Sequence, residues 1–83
     1  MKVLYFSWIK DNIGKNEEEI SLDENIKTIS DLINYLSTIN ENYKEVFSDL
    51  STIKFSKNMN LVNIDENISN NDEIAFFPPM TGG

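Results

Sequence analysis

Apolar and polar positions change their period along this chain, and each change predicts a different element. From Lys2 to Ile9 aromatic and β-branched residues dominate, which predicts a strand. Val3, Tyr5, Ser7 and Ile9 then point one way and Leu4, Phe6 and Trp8 the other. Both faces are largely apolar, as in a central strand. Asp11, Asn12 and Gly14 mark a turn, and Glu17 to Leu22 predicts a second strand, completing an N-terminal hairpin. Thr28 to Ile39 switches to helical period, with Ile29, Leu32, Ile33, Leu36 and Ile39 on one stripe. Thr28 is a good N-cap, and Asp31 three residues on makes a short capping box. Tyr43 to Leu50 repeats the helical pattern more weakly.

Strand signals then return. Thr52 to Ser56 and Asn60 to Ile64 are short strands joined by a turn at Lys57, Asn58 and Met59, where Asn58 tolerates a left-handed backbone. Asp65 to Asp72 is polar and turn-rich. Glu73 to Phe77 is the last strand, ended by Pro78 and Pro79, which cannot donate to a ladder. Strand, strand, helix, then more strands is the order of an α+β protein with its helix packed on one face of a mixed sheet. The β-grasp (ubiquitin-like) arrangement has this order: four to five strands, one main helix and a second short helix. At 83 residues the chain forms a single domain, 1–83, with 78–83 as a projecting C-terminal tail.

Composition narrows the chemistry mainly through what is missing. There is no Cys, so no disulfide, thiolate nucleophile or zinc-thiolate site. There is no His, the commonest metal ligand and general base near neutral pH. All seven basic residues are Lys, so bidentate Arg clamps on phosphate are also missing. No metal site is expected, and no permanently bound cofactor. These absences favour a carrier or binding role over an enzyme acting alone. The net charge of −7 repels nucleic acid and anionic membrane surfaces. It suits a basic protein partner, or serves solubility alone. No apolar run approaches the roughly 20 residues a membrane-spanning helix needs, and the first residues lack the features of a secretory signal. A cytoplasmic location is the expectation.

The sequence ends Phe77-Pro78-Pro79-Met80-Thr81-Gly82-Gly83. The proline pair makes an extended stem, and the two glycines have no Cβ to obstruct a narrow channel. A C-terminal Gly carboxylate is an unhindered reaction centre for acyl transfer. A chain-terminal carboxyl ordinarily titrates at about 3.3–3.7, so it is ionised at neutral pH and ATP must activate it first. Gly83 is the candidate reacting residue, with Gly82 beside it.

The run Asp72-Glu73-Ile74-Ala75-Phe76-Phe77-Pro78-Pro79-Met80-Thr81-Gly82-Gly83 resembles the C-terminus of molybdopterin synthase small subunits, the MoaD family. Lys2-Val3-Leu4-Tyr5-Phe6, the Ile13-Gly14 turn, and the Asn58 turn followed by Leu61-Val62 are similar to further stretches of that family. The middle, Glu17 to Thr52, matches mainly in pattern. Departures are Asn71, where Gly is frequent, and Lys10, where Arg is often found. The resemblance implies a non-catalytic sulfur-donor subunit. An adenylyltransferase related to ubiquitin E1 proteins adenylates Gly83 with ATP, and a sulfur donor protein converts the adenylate to a thiocarboxylate. The tail enters the large synthase subunit, in a heterotetramer of two small and two large subunits. There it delivers sulfur to cyclic pyranopterin monophosphate, building the molybdopterin dithiolene, and the catalytic side chains belong to the large subunit.

The resemblance also implies partner contact at Leu61 and Phe77, and by Pro78, Pro79, Met80 and Thr81 of the tail. With Val62, Ile64, Ile74 and Phe76 facing the helix, alternation turns Leu61, Ala75 and Phe77 outward as an apolar patch, which Phe6 and Trp8 join. The alternative is that a second layer, such as Tyr43 to Leu50, covers them. The tail chemistry also admits a carrier for thiamine biosynthesis and a ubiquitin-like modifier joined through Gly83 to lysines of other proteins. An adaptor that binds a partner without tail chemistry is a further alternative.

Overall fold

The computed structural model describes residues 1–79. Its elements are β1 (Lys2–Tyr5), α1 (Ser7–Ile13), β2 (Glu17–Glu19), α2 (Ile29–Leu36) and α3 (Glu41–Val46), then a 3-10 turn (Leu50–Thr52), β3 (Lys54–Lys57), β4 (Asn60–Val62) and β5 (Glu73–Phe77). The five strands form one mixed sheet in the order β2-β1-β5-β3-β4. The central pair β1 and β5 is parallel, and the other neighbours are antiparallel. This is the expected α+β, β-grasp arrangement, with three α-helices instead of two.

Register separates the two faces of the sheet. Val3, Tyr5, Ile74, Phe76, Phe55 and Val62 share the inner face, since Val3 pairs with Ile74, Tyr5 with Phe76, and Phe55 with both Phe76 and Val62. Ile9 and Ile13 of α1, the stripe Ile29, Leu32, Ile33 and Leu36 of α2, and Tyr43 and Val46 of α3 close the core over that face. Phe76 is its aromatic centre, stacked on Tyr5 at 6.1 Å and met edge-on by Phe47 at 5.1 Å and Phe55 at 5.9 Å.

The strand expected over Lys2 to Ile9 stops at Tyr5. Ser7 takes φ 58°, which swings the chain out of the sheet, and the next residues wind into α1. Ile9 and Ile13, four apart, then lie on one helical face and are both buried. Gly14 ends the helix at φ 91°, a left-handed cap that glycine takes without steric cost, and its N–H bonds Lys10 O at 2.7 Å. Asp11 and Asn12, expected in a turn, are helical. β1 and β2 do pair antiparallel, but a helix joins them where a hairpin turn was expected.

α2 begins as its sequence predicts. Thr28 Oγ1 accepts from Asp31 N at 3.1 Å, and the Asp31 carboxylate accepts from Thr28 N at 3.2 Å. A further hydrogen bond from Lys27 N at 2.9 Å, together with those from Thr28, holds the Asp31 carboxyl below the usual range. The next free helix N–H groups are met by the loop before β5: Ile29 N bonds Glu66 O at 3.0 Å and Ser30 N bonds Ile64 O at 2.9 Å. Ile64, expected to face the helix from a strand, lies beyond β4 with its side chain partly exposed. Its backbone serves α2 instead. Ile39, expected on the buried stripe, is exposed because α2 ends at Leu36.

Candidate functional site

The outer face of the sheet can be read from the ladder. Its middle row runs Glu17, Leu4, Ala75, Ser56, Leu61, each paired with the next. Lys54 lies opposite Phe77 at the end where the chain leaves β5, and Phe6 follows Tyr5 on the other side, its N–H bonded to Phe76 O at 3.2 Å. Glu19, Lys2 and Glu73 form the row at the far end. An apolar strip of Phe6, Leu4, Phe77 and Leu61 therefore crosses the sheet beside the base of the tail, edged by Lys54, Lys2 and three carboxylates.

Leu61 is 71 % exposed and Phe6 47 %, while Leu4, Phe77, Pro78 and Pro79 are half-buried. Among the described residues no helix covers this face. The expected alternative cover, Tyr43 to Leu50, packs on the inner face, where Tyr43, Val46 and Phe47 are buried. Ala75 lies on the outer face but is only 8 % exposed between its larger neighbours, so it contributes shape and little contact area. Trp8, expected on the open sheet face, belongs to α1 and is partly exposed there. Met80, Thr81, Gly82 and Gly83 lie outside the described residues.

The β3–β4 connection is a second feature of this surface. Asn58 and Met59 form a two-residue turn with φ 50° and 73°, both left-handed, as the twist of a tight hairpin requires. Asn58 also ties the turn to the start of β5. Its side chain donates to Asp72 Oδ1 at 2.9 Å and accepts from Glu73 N at 2.9 Å, while its backbone N–H bonds Glu73 O at 2.8 Å. Partial burial works against ionisation of Asp72. The hydrogen bonds from Asn58 and Ser69 and the nearby Lys57 charge outweigh it and hold the carboxyl below its ordinary value. Met59 is 89 % exposed at the tip. The turn is predictable from the residues that form it, but nothing in them signals that its methionine is so exposed.

On the inner side, Glu18 accepts hydrogen bonds from the phenols of Tyr5 and Tyr43, both at 2.7 Å, and Lys15 approaches its other oxygen at 3.4 Å. Burial, reinforced by the bond to Glu18, pushes the Tyr5 phenol far above its ordinary range, and Tyr43 shifts the same way. This cluster joins β2, β1 and α3. Every one of its polar groups is partnered, which marks it as structural. Among the described residues no group of three or more His, Cys, Asp or Glu is placed to hold a metal ion.

A mixed sheet in this order, with its helices on one face and a Pro-Pro stem leaving the central strand, defines a β-grasp protein of the ubiquitin-like class. SAMP1 of Haloferax volcanii shares the fold with a TM-score of 0.74 at 20 % identity, over 100 % of this chain and 98 % of that one. The chain belongs to the ThiS family, whose sequence pattern matches residues 3–83. Two relatives are named molybdopterin synthase sulfur carrier subunit. That of Escherichia coli K12 is 29 % identical over 83 residues, covering 100 % of this chain and 99 % of the relative. That of Dictyostelium discoideum is 34 % identical over 84 residues, covering 99 % and 94 %.

Proposed function

We propose that this chain is the sulfur carrier subunit of a molybdopterin synthase and that the carboxylate of Gly83 carries the sulfur. The observation that carries the reading is the join between β5 and the tail. Phe76 anchors the central strand in the core, and Phe77 sits on the open outer face. Pro78 and Pro79 then lead into a sequence ending in two glycines. A partner that grips the outer face is thereby brought next to the reacting end. The names of the two relatives support the same reading.

The chemistry follows from the residues the chain has and lacks. The Gly83 carboxylate attacks the α-phosphorus of ATP on an activating enzyme, releasing pyrophosphate. A persulfide on a donor protein then displaces AMP to give an acyl disulfide, and attack by thiols on its S–S bond releases the Gly83 thiocarboxylate, the thiols being oxidised to a disulfide. With no Cys anywhere in the chain, sulfur cannot ride as a persulfide. The large subunit supplies the catalytic side chains and receives the tail in a cleft narrow enough to favour glycine. Two small and two large subunits make the assembly, and Phe6, Leu61 and Phe77 are its contact residues on this chain.

The test is affinity capture from host lysate with mass spectrometric identification of what binds, using the full chain beside one lacking Gly82 and Gly83 and one carrying Phe77→Asp. The full chain is expected to bind the large subunit, tail deletion to weaken binding, and F77D to reduce it at least about tenfold through a buried unpaired charge. Retention of thiazole synthase in place of the large subunit would move the reading to thiamine biosynthesis. Covalent adducts on lysines of other proteins would move it to protein modification.

A further inference from the structure

We infer that Met59 is a contact residue for the large subunit, extending the docking surface past Leu61 onto the β3–β4 hairpin tip and acting as a specificity determinant there. This inference rests on the docking reading above. It starts from a residue that the fold alone does not explain. Met59 has φ 73°, a conformation that costs an L-residue with a Cβ and costs glycine nothing. Its side chain packs on almost nothing, being 89 % exposed. Neither backbone geometry nor the core favours methionine at this position, and a flexible thioether at the tip suits a partner surface.

The tip is nevertheless held firmly. The three hydrogen bonds between Asn58 and the Asp72–Glu73 backbone and side chain fix the turn against β5. Exposed apolar side chains on a fixed frame lose less entropy on binding than those on a loose loop. Met59 is also continuous with the outer face, two residues before the exposed Leu61, which ends the middle row of the sheet. Asp72 and Glu73 flank the turn. The matching feature on the large subunit is an apolar hollow for Met59 with Lys or Arg on its rim.

Two substitutions separate docking from folding. Met59→Gly and Met59→Asn both suit the left-handed backbone and remove the apolar side chain, whereas Met59→Leu keeps apolar bulk. Ile39→Ala, at an exposed apolar site beyond α2, is the control. Dissociation constants for purified large subunit and melting temperatures are measured on the same preparations. Met59→Gly is expected to melt higher than the natural chain yet bind about tenfold or more weakly, with Met59→Asn weakened alike and Met59→Leu close to the natural chain. Natural-strength binding by both Gly and Asn variants, with F77D impaired, would overturn the role of Met59 and leave the docking reading intact. Failure of the unsubstituted chain to bind would overturn both.

Discussion

Asn58 shows how one side chain serves two elements at once. Its backbone takes the left-handed conformation that the β3–β4 turn needs, and its amide both donates to Asp72 and accepts from Glu73 N. Asn58→Ala removes both side-chain bonds and the local tolerance of positive φ. It is expected to cost about 1–3 kcal/mol in chemical denaturation, with an unchanged denaturant slope. The turn was legible because Asn beside a short polar break is a local signal. The Thr28–Asp31 capping box was legible for the same reason, and both of its hydrogen bonds form. Glu18 was not legible. Its partners Tyr5 and Tyr43 lie 13 and 25 residues away, and only the fold brings them to one carboxylate.

Among the elements, β5 was read from Glu73 to Phe77 with both ends correct, because alternating apolar residues meet a double proline. α1 is less legible: Ser7 to Ile9 read as the continuation of β1, and Asp11 and Asn12 as a turn. Its Ser7-Trp8-Ile9 start is compatible with either period, and the deciding event is a positive φ at Ser7 that nothing in the residue type announces. Burial of Ile9 and Ile13 on one helical face then outweighs the strand preference of the segment. Ile9→Ala is expected to cost about 2–5 kcal/mol and lower the melting temperature, because the fully buried side chain leaves a cavity under α1. A loss near that of an exposed residue would contradict the packing of α1 on the core. The outward placement of Leu61 and Phe77 followed from alternation alone. The burial of Ala75 did not, because it depends on the bulk of its neighbours across the sheet.

For the whole molecule, stability has a limit on each side of neutrality. Asp31, Asp72 and Asp49, whose carboxylate accepts hydrogen bonds from the Ser51 hydroxyl at 2.6 Å and N–H at 3.1 Å, have depressed native values, so their contribution is present above the unfolded carboxyl value of about 3.9 and is lost as pH falls through the native ones. Tyr5 and Tyr43 have raised native values, so theirs is present below the unfolded phenol value of about 10 and is lost as pH climbs toward the native ones. Melting temperature is therefore expected to be nearly flat between about pH 5 and pH 9, falling on either side. Tyr43→Phe is expected to soften the alkaline fall selectively. The acidic net charge, the core over one sheet face, and the bare apolar strip beside Phe77 are consistent with the proposed docking of a partner on the outer face. The most direct measurement is the intact mass of the chain after incubation with an activating enzyme, ATP, a persulfide-bearing donor protein and a thiol reductant. The account predicts the gain expected for exchanging one oxygen for sulfur, located on Gly83 by fragmentation and absent from a chain lacking that residue. An unchanged mass, or sulfur bound elsewhere in the chain, would contradict it.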